Sequence, residues 1–153
     1  MPEAVIGTLR WICGVLRKEK IPFQVVGDIA ILLEGASPLV STVELFVSAK
    51  SLPRLIRTVQ DRITEYPWRR RNERWDLVMM VLNNDDVVVS VGIIDGARMR
   101  VGTSSEWVDV VIDLEASRVV TLRDVEIPIA SRSELATELR YRHQAKNFRN
   151  KVF

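Results

Sequence analysis

The sequence predicts an α/β (α+β) domain, a mixed β-sheet of about five strands with helices packed on one side. Three stretches carry that prediction. Residues 23–33, FQVVGDIAILL, read as a short buried strand, a glycine turn and an apolar helix. Residues 42–47, TVELFV, alternate, with Val43, Leu45 and Val47 on one face and Thr42, Glu44 and Phe46 on the other. Residues 76–94 hold two strand-like runs, LVMMVL and VVVSVGII, about a turn at Asn83-Asn84-Asp85-Asp86.

Length and composition set the frame. The 153 residues are enough for one domain with one core. Apolar residues at 47% and charged residues at 27% exclude a disordered chain. A net charge of +2 is too small to name a partner by itself. The lone Cys13 excludes an internal disulfide framework and a cysteine-based zinc site, and points to a reducing, cytoplasmic setting. Glu3 interrupts any signal-peptide pattern, and no apolar run approaches the roughly 20 residues that span a bilayer. No membrane association is expected.

Taken in order, residues 3–20 form a helix, with Val5, Ile6, Leu9, Ile12, Cys13 and Leu16 at helical spacing and a polar end at Arg17–Lys20. Cys13 lies within the apolar face and reads as a small core residue. Pro22 separates this helix from the strand at 23–26. Gly27 ends that strand, Ile29–Leu33 continue as a helix, and Gly35, Ser37 and Pro38 break it. Asp28 suits the helix start as a capping residue. Free N–H groups there attract anions, and a strand with one polar face can offer carboxylates opposite them, which is a phosphate-handling layout. Residues 50–65 predict another helix, with Leu52, Leu55, Ile56, Val59 and Ile63 as its stripe and Pro53 in its first turn.

Residues 66–75, YPWRRRNERW, are the most unusual stretch: four Arg and two Trp lie within positions 68 to 75. Trp68, Arg69, Arg70, Arg71 and Arg74 together could neutralise phosphates and stack bases, or form a solvated loop anchored by its indoles. Residues 97–118 show no clear periodicity; Asp109, Asp113 and Glu115 read as an acidic surface or as metal ligands. Residues 119–129 predict a hairpin turning at Arg123-Asp124. Residues 131–153 predict a last helix, opened by the capping box Ser131–Glu134 and carrying the only histidine, His143, among polar neighbours.

The 23–47 unit resembles the nucleotidyltransferase fold of the DNA polymerase beta superfamily, especially its small stand-alone members. Their signature is a hydrophobic residue, Gly, then Gly or Ser, a gap, then Asp, hydrophobic, Asp or Glu, hydrophobic. Val26-Gly27-Asp28 stands at the glycine turn, and Thr42-Val43-Glu44-Leu45 at the second half. The resemblance implies that three carboxylates hold two Mg²⁺ ions, which align a nucleoside triphosphate and activate a hydroxyl. Here Asp28 replaces the turn residue, Thr42 the first Asp and Ser90 the third carboxylate. Glu44 alone remains as a catalytic or metal-binding position, with Gly27 and Asp28 at the nucleotide turn. Near the C-terminus, Lys146-Asn147 and Asn150 stand where the family has a Lys-Asp pair and a later Asp, so the two acidic positions are neutral.

Three functions follow as expectations. The first is a non-catalytic nucleotidyltransferase-like protein that binds a ligand or partner, such as a nucleotide. The second is a working enzyme with an altered site, using Mg²⁺ and transferring a nucleoside monophosphate from a triphosphate. The third is a nucleic-acid-binding module built on Trp68, Arg69, Arg70, Arg71 and Arg74. Formation of a homo-oligomer is compatible with all three.

Overall fold

The computed structural model describes residues 1–33, 35, 39–100 and 105–130. Helix α1 (Glu3–Lys18) buries Val5, Ile6, Leu9, Ile12, Cys13 and Leu16. Glu3 in its first turn and Arg17 and Lys18 in its last complement the helix dipole. Strand β1 (Phe23–Val26) is buried throughout and runs into α2 (Gly27–Leu33). Gly27 makes that corner at φ 72°, a conformation that costs any L-residue with a Cβ. Strand β2 (Val43–Val47) follows, then α3 (Leu52–Val59), which is shorter than the sequence predicts. A 3₁₀ turn covers 60–62, and Ile63, although on the helical stripe, opens a strand.

That strand, β3 (Ile63–Arg71), occupies part of the stretch for which a loop was one expectation. Strands β4 (Trp75–Asn84) and β5 (Val87–Ile93) form the expected hairpin. Asp85 and Asp86 both have positive φ, as a tight two-residue turn requires. Two three-residue strands, β6 (Arg98–Arg100) and β7 (Trp107–Asp109), occupy the segment without periodicity. The second expected hairpin is β8 (Arg118–Leu122) and β9 (Val125–Ile129). The predicted last helix, with Ser131–Glu134, His143, Lys146, Asn147 and Asn150, lies outside the described residues.

The sheet has nine described strands rather than about five, in the order β7-β6-β4-β5-β2-β1-β9-β8, with β3 on β4. Six of the nine lie in stretches that the sequence marks as strands, and β3 and the two short strands are the ones it does not. Pairs β2–β5 and β1–β9 are parallel and the rest antiparallel, so the sheet is mixed as expected. One face packs under the helices: Val25, Val43, Leu45, Val47, Met80, Leu82, Val89 and Val91 meet Leu9, Ile12, Leu16, Ile29, Leu55 and Val59. Each fully buried Leu among them contributes about 1.5–3 kcal/mol of hydrophobic stabilisation. Asn84 Nδ2 donates to Thr8 Oγ1 at 3.0 Å and fastens α1 to the end of β4. The other face carries a smaller cluster, Val26, Phe46, Trp75, Leu77 and Ala97.

Candidate functional site

Strand registers define what shares the second face. Directly opposed residues point the same way, so one row crosses the sheet as Val26, Glu44, Ser90, Val81 and Glu65. The next row is Gln24, Phe46, Gly92, Met79 and Trp68. Thus the register puts Ser90 beside Glu44, the position inferred for it from the hairpin. Thr42 immediately precedes β2, is half-buried and shares the Glu44 side of the alternation. Glu44 is 3% exposed and has Val26 across one strand boundary and Ser90 across the other. Gly27 is buried at its corner, and Asp28 is half-buried in the first turn of α2.

Two divalent ions require several converging anionic oxygens. The donors in register supply two hydroxyls, Thr42 and Ser90, and one carboxylate, Glu44. This set does not fit a pair of Mg²⁺ ions. Among the described residues, no three His, Cys, Asp or Glu side chains gather to hold a metal ion. Asp113 instead caps the 114–116 turn, accepting from the Glu115 N–H at 3.0 Å, and Asp109 is exposed on β7.

The arginine-rich stretch divides in a way that its composition does not reveal. Arg69 Nε donates to Asp76 Oδ1 at 2.8 Å, and Arg98 donates to Asp76 Oδ2 at 2.6 Å. The Asp76 side chain is 4% exposed. The hydrogen bond from Arg69, helped by Arg98, holds its carboxyl below the usual range against the opposing effect of burial. Arg74 is buried, with its guanidinium 5.9 Å from the Trp75 ring. Arg70 pairs with Glu65 and lies 4.8 Å from the exposed Trp68 ring. Arg71 lies 4.8 Å from Trp107, and Arg100 lies 5.1 Å from the same ring.

Trp68 and Arg70 oppose Met79 and Leu77 on β4, which places them on the Glu44 face. Three strand spacings separate β2 from β3, or about 14 Å. Sequence reasoning treated the glycine-turn unit and the arginine stretch separately; the registers bring Trp68 and Arg70 to the Glu44 face and put Arg69 and Arg71, opposite Val78 and Asp76, on the other. It missed Asp76, Arg100 and Trp107. The latter two reach Arg71 through the β4–β6–β7 ladder, which leaves no local sequence signal.

No protein-family model matches the chain, and no curated protein sequence does. A solved structure from Thermotoga maritima, provisionally assigned as a nucleotidyltransferase, is similar at a TM-score of 0.72. The match covers 94% of this chain and 89% of that one, at 20% identity. The fold expected from the glycine turn and the Thr42–Leu45 strand is therefore the fold observed, and this chain has a nucleotidyltransferase-like architecture.

Proposed function

We propose that this nucleotidyltransferase-like protein does not transfer nucleotides and works by binding a ligand or partner. The observation that carries the reading is the row Val26–Glu44–Ser90, where one buried carboxylate stands between an apolar side chain and a hydroxyl. Nucleotidyl transfer by this fold needs ions that neutralise the triphosphate and lower the pKa of the attacking hydroxyl. Hydroxyls at Thr42 and Ser90 supply oxygen without charge. Asp28, beside the glycine corner, adds a negative charge where a triphosphate would approach.

Metal binding tests this reading. Mn²⁺ titrated into the protein with ATP present, followed by electron paramagnetic resonance, should show no spin-coupled pair of ions and no difference between wild type and Glu44→Gln. A coupled pair that Glu44→Gln abolishes would replace this reading with that of an enzyme whose metal site is altered but working.

A further inference from the structure

The strand ladder gathers Arg69, Arg71, Arg98 and Arg100 on the helix side of the sheet, past the residues that meet the helices. That side of β4 runs Leu82, Met80, Val78, Asp76; the first two lie in the helix-packed core and Val78 at its margin. Arg69 and Arg71 oppose Val78 and Asp76 from β3, and Arg98 opposes Asp76 from β6, with Arg100 two residues on. Asp109 and Trp107 then oppose Arg98 and Arg100 from β7. Residues two apart on a strand lie about 7 Å apart, and β3 and β6, one on each flank of β4, lie about 10 Å apart. Arg69 and Arg71 are exposed, and Arg98, Arg100 and Trp107 are half-buried, so the patch is open.

Its charges do not cancel. Asp76 takes Arg69 and Arg98. Arg71 and Arg100 instead lie 4.8 and 5.1 Å from the Trp107 ring. Neither side chain has a carboxylate or hydrogen-bond acceptor among the described residues. Asp109, Glu73 in the β3–β4 turn and Glu106 ahead of β7 are exposed, and none pairs with Arg71 or Arg100. Contact with the ring orients each guanidinium without using its N–H donors, so less freedom is lost when an anion arrives.

Two oriented guanidinia with unfilled donors match phosphate oxygens, which such a fork takes in pairs. The patch has no apolar platform for a base. Trp107 is occupied by the two arginines, and the cleft of about 280 Å³ at Trp68, Leu77 and Met79 opens on the opposite side of the sheet. Contacts of this kind position a nucleic acid and carry no sequence information. A duplex carries one charge per about 1.7 Å of its axis, twice the density of one strand, so it brings several phosphates to a patch of this size together.

We propose that the patch built on Arg71, Arg100 and Trp107 binds the phosphate backbone of a nucleic-acid duplex without regard to sequence. The proposal names the partner within the non-catalytic reading. It uses no residue of the Val26–Glu44–Ser90 row, so binding and nucleotidyl transfer can fail separately.

Fluorescence anisotropy of short labelled DNA and RNA duplexes, titrated with the full chain over a series of salt concentrations, tests it. Both should bind at low salt, and duplexes of unrelated sequence should bind equally. On the DNA duplex, Arg71→Gln/Arg100→Gln should flatten the log–log salt slope by about 1.8, at roughly 0.9 for each lost phosphate contact. Arg71→Lys/Arg100→Lys keeps both charges and should keep the slope. Trp68→Leu, on the opposite side, and Arg54→Ala/Arg57→Ala, on the exposed side of α3, should leave it unchanged. Circular dichroism verifies that each variant is folded. Failure of either duplex to bind wild type at low salt would overturn the proposal. So would tighter binding of the single strand than of the duplex, or a slope flattened as much by the lysine pair, by Trp68→Leu or by the α3 variant. Displacement by polyglutamate as effective as by unlabelled duplex would also overturn it and assign the patch to an acidic protein.

Discussion

Replacing Asp76 by Asn tests whether Arg69 and Arg98 are structural residues. The substitution keeps the shape of the side chain and removes its charge. It disrupts two charge-assisted hydrogen bonds, of 2.8 Å to Arg69 and 2.6 Å to Arg98. Such bonds contribute about 1.5–3 kcal/mol each. The aspartate is 4% exposed, but Arg69 and Arg98 are 50% and 41% exposed and recover part of their hydration when released. The expected loss is therefore about 2–4 kcal/mol, below the upper part of the range for breaking a fully buried pair. For a chain of this size that lowers the melting temperature by about 4–15 °C.

The pH dependence has a definite sign. The folded carboxyl titrates below its unfolded value because Arg69 and Arg98 stabilise the anion. Its contribution is complete above the unfolded pKa, about 3.9, and is lost as the pH falls through the lower folded value. Urea unfolding of wild type and Asp76→Asn should show a constant gap from neutral pH down to about pH 5, closing below about pH 4. Equal midpoints at neutral pH, or a gap that widens in acid, would refute the assignment of Asp76 as the anchor of both arginines.

Other outcomes follow from single sites. Gly27→Ala places a Cβ at φ 72° and should cost about 1–2 kcal/mol in denaturant unfolding; a loss within a few tenths would contradict the strained corner. Burial pushes the Cys13 thiol up to about 11, so in the native protein it should react with a disulfide reagent at mildly alkaline pH only as fast as the chain unfolds. Prompt stoichiometric labelling without denaturant would show that the packing of α1 on the sheet does not cover it. Arg10 and Asp124 pair at 2.7 Å in the open, so Asp124→Asn should destabilise far less than Asp76→Asn in the same titration. Equal effects would undo the distinction between a solvated pair and a buried anchor.

The β1–α2–β2 unit was legible because each boundary has its own chemistry: a buried run, a glycine at the corner, then strict alternation. The β4–β5 hairpin was legible because Asn and Asp tolerate the positive φ of its turn. From those two elements the place of Ser90 beside Glu44 could be inferred before the register was known. Strand β3 could not be read in the same way. Its outer edge has no partner among the described strands, and Thr64, Glu65, Tyr66, Trp68 and Arg69 are all exposed, so no period of two emerges. Pro67 and the register shifts on either side of Glu65 deepen the resemblance to a loop, and they are devices that discourage edge pairing. Ile63 continued the α3 stripe by spacing alone.

The arginines show the same limit for the site. Composition marked Arg69, Arg70, Arg71 and Arg74 as equivalent cations, but the buried carboxylate that removes Arg69 lies on the neighbouring strand. Burial removes Arg74 from the surface, and Arg100 joins the group only through the β6–β7 pairing. Which charges remain available is a property of the sheet order, which local patterning does not encode.

The most direct measurement is nucleotidyl transfer itself. The full chain would be incubated with Mg²⁺ or Mn²⁺, each radiolabelled nucleoside triphosphate, and pooled RNA, protein and metabolite acceptors. One buried carboxylate flanked by Val26 and Ser90 predicts no label transferred above background. Incorporation by wild type that vanishes in Glu44→Gln would contradict the account and establish Glu44 as the remaining ligand of a working site.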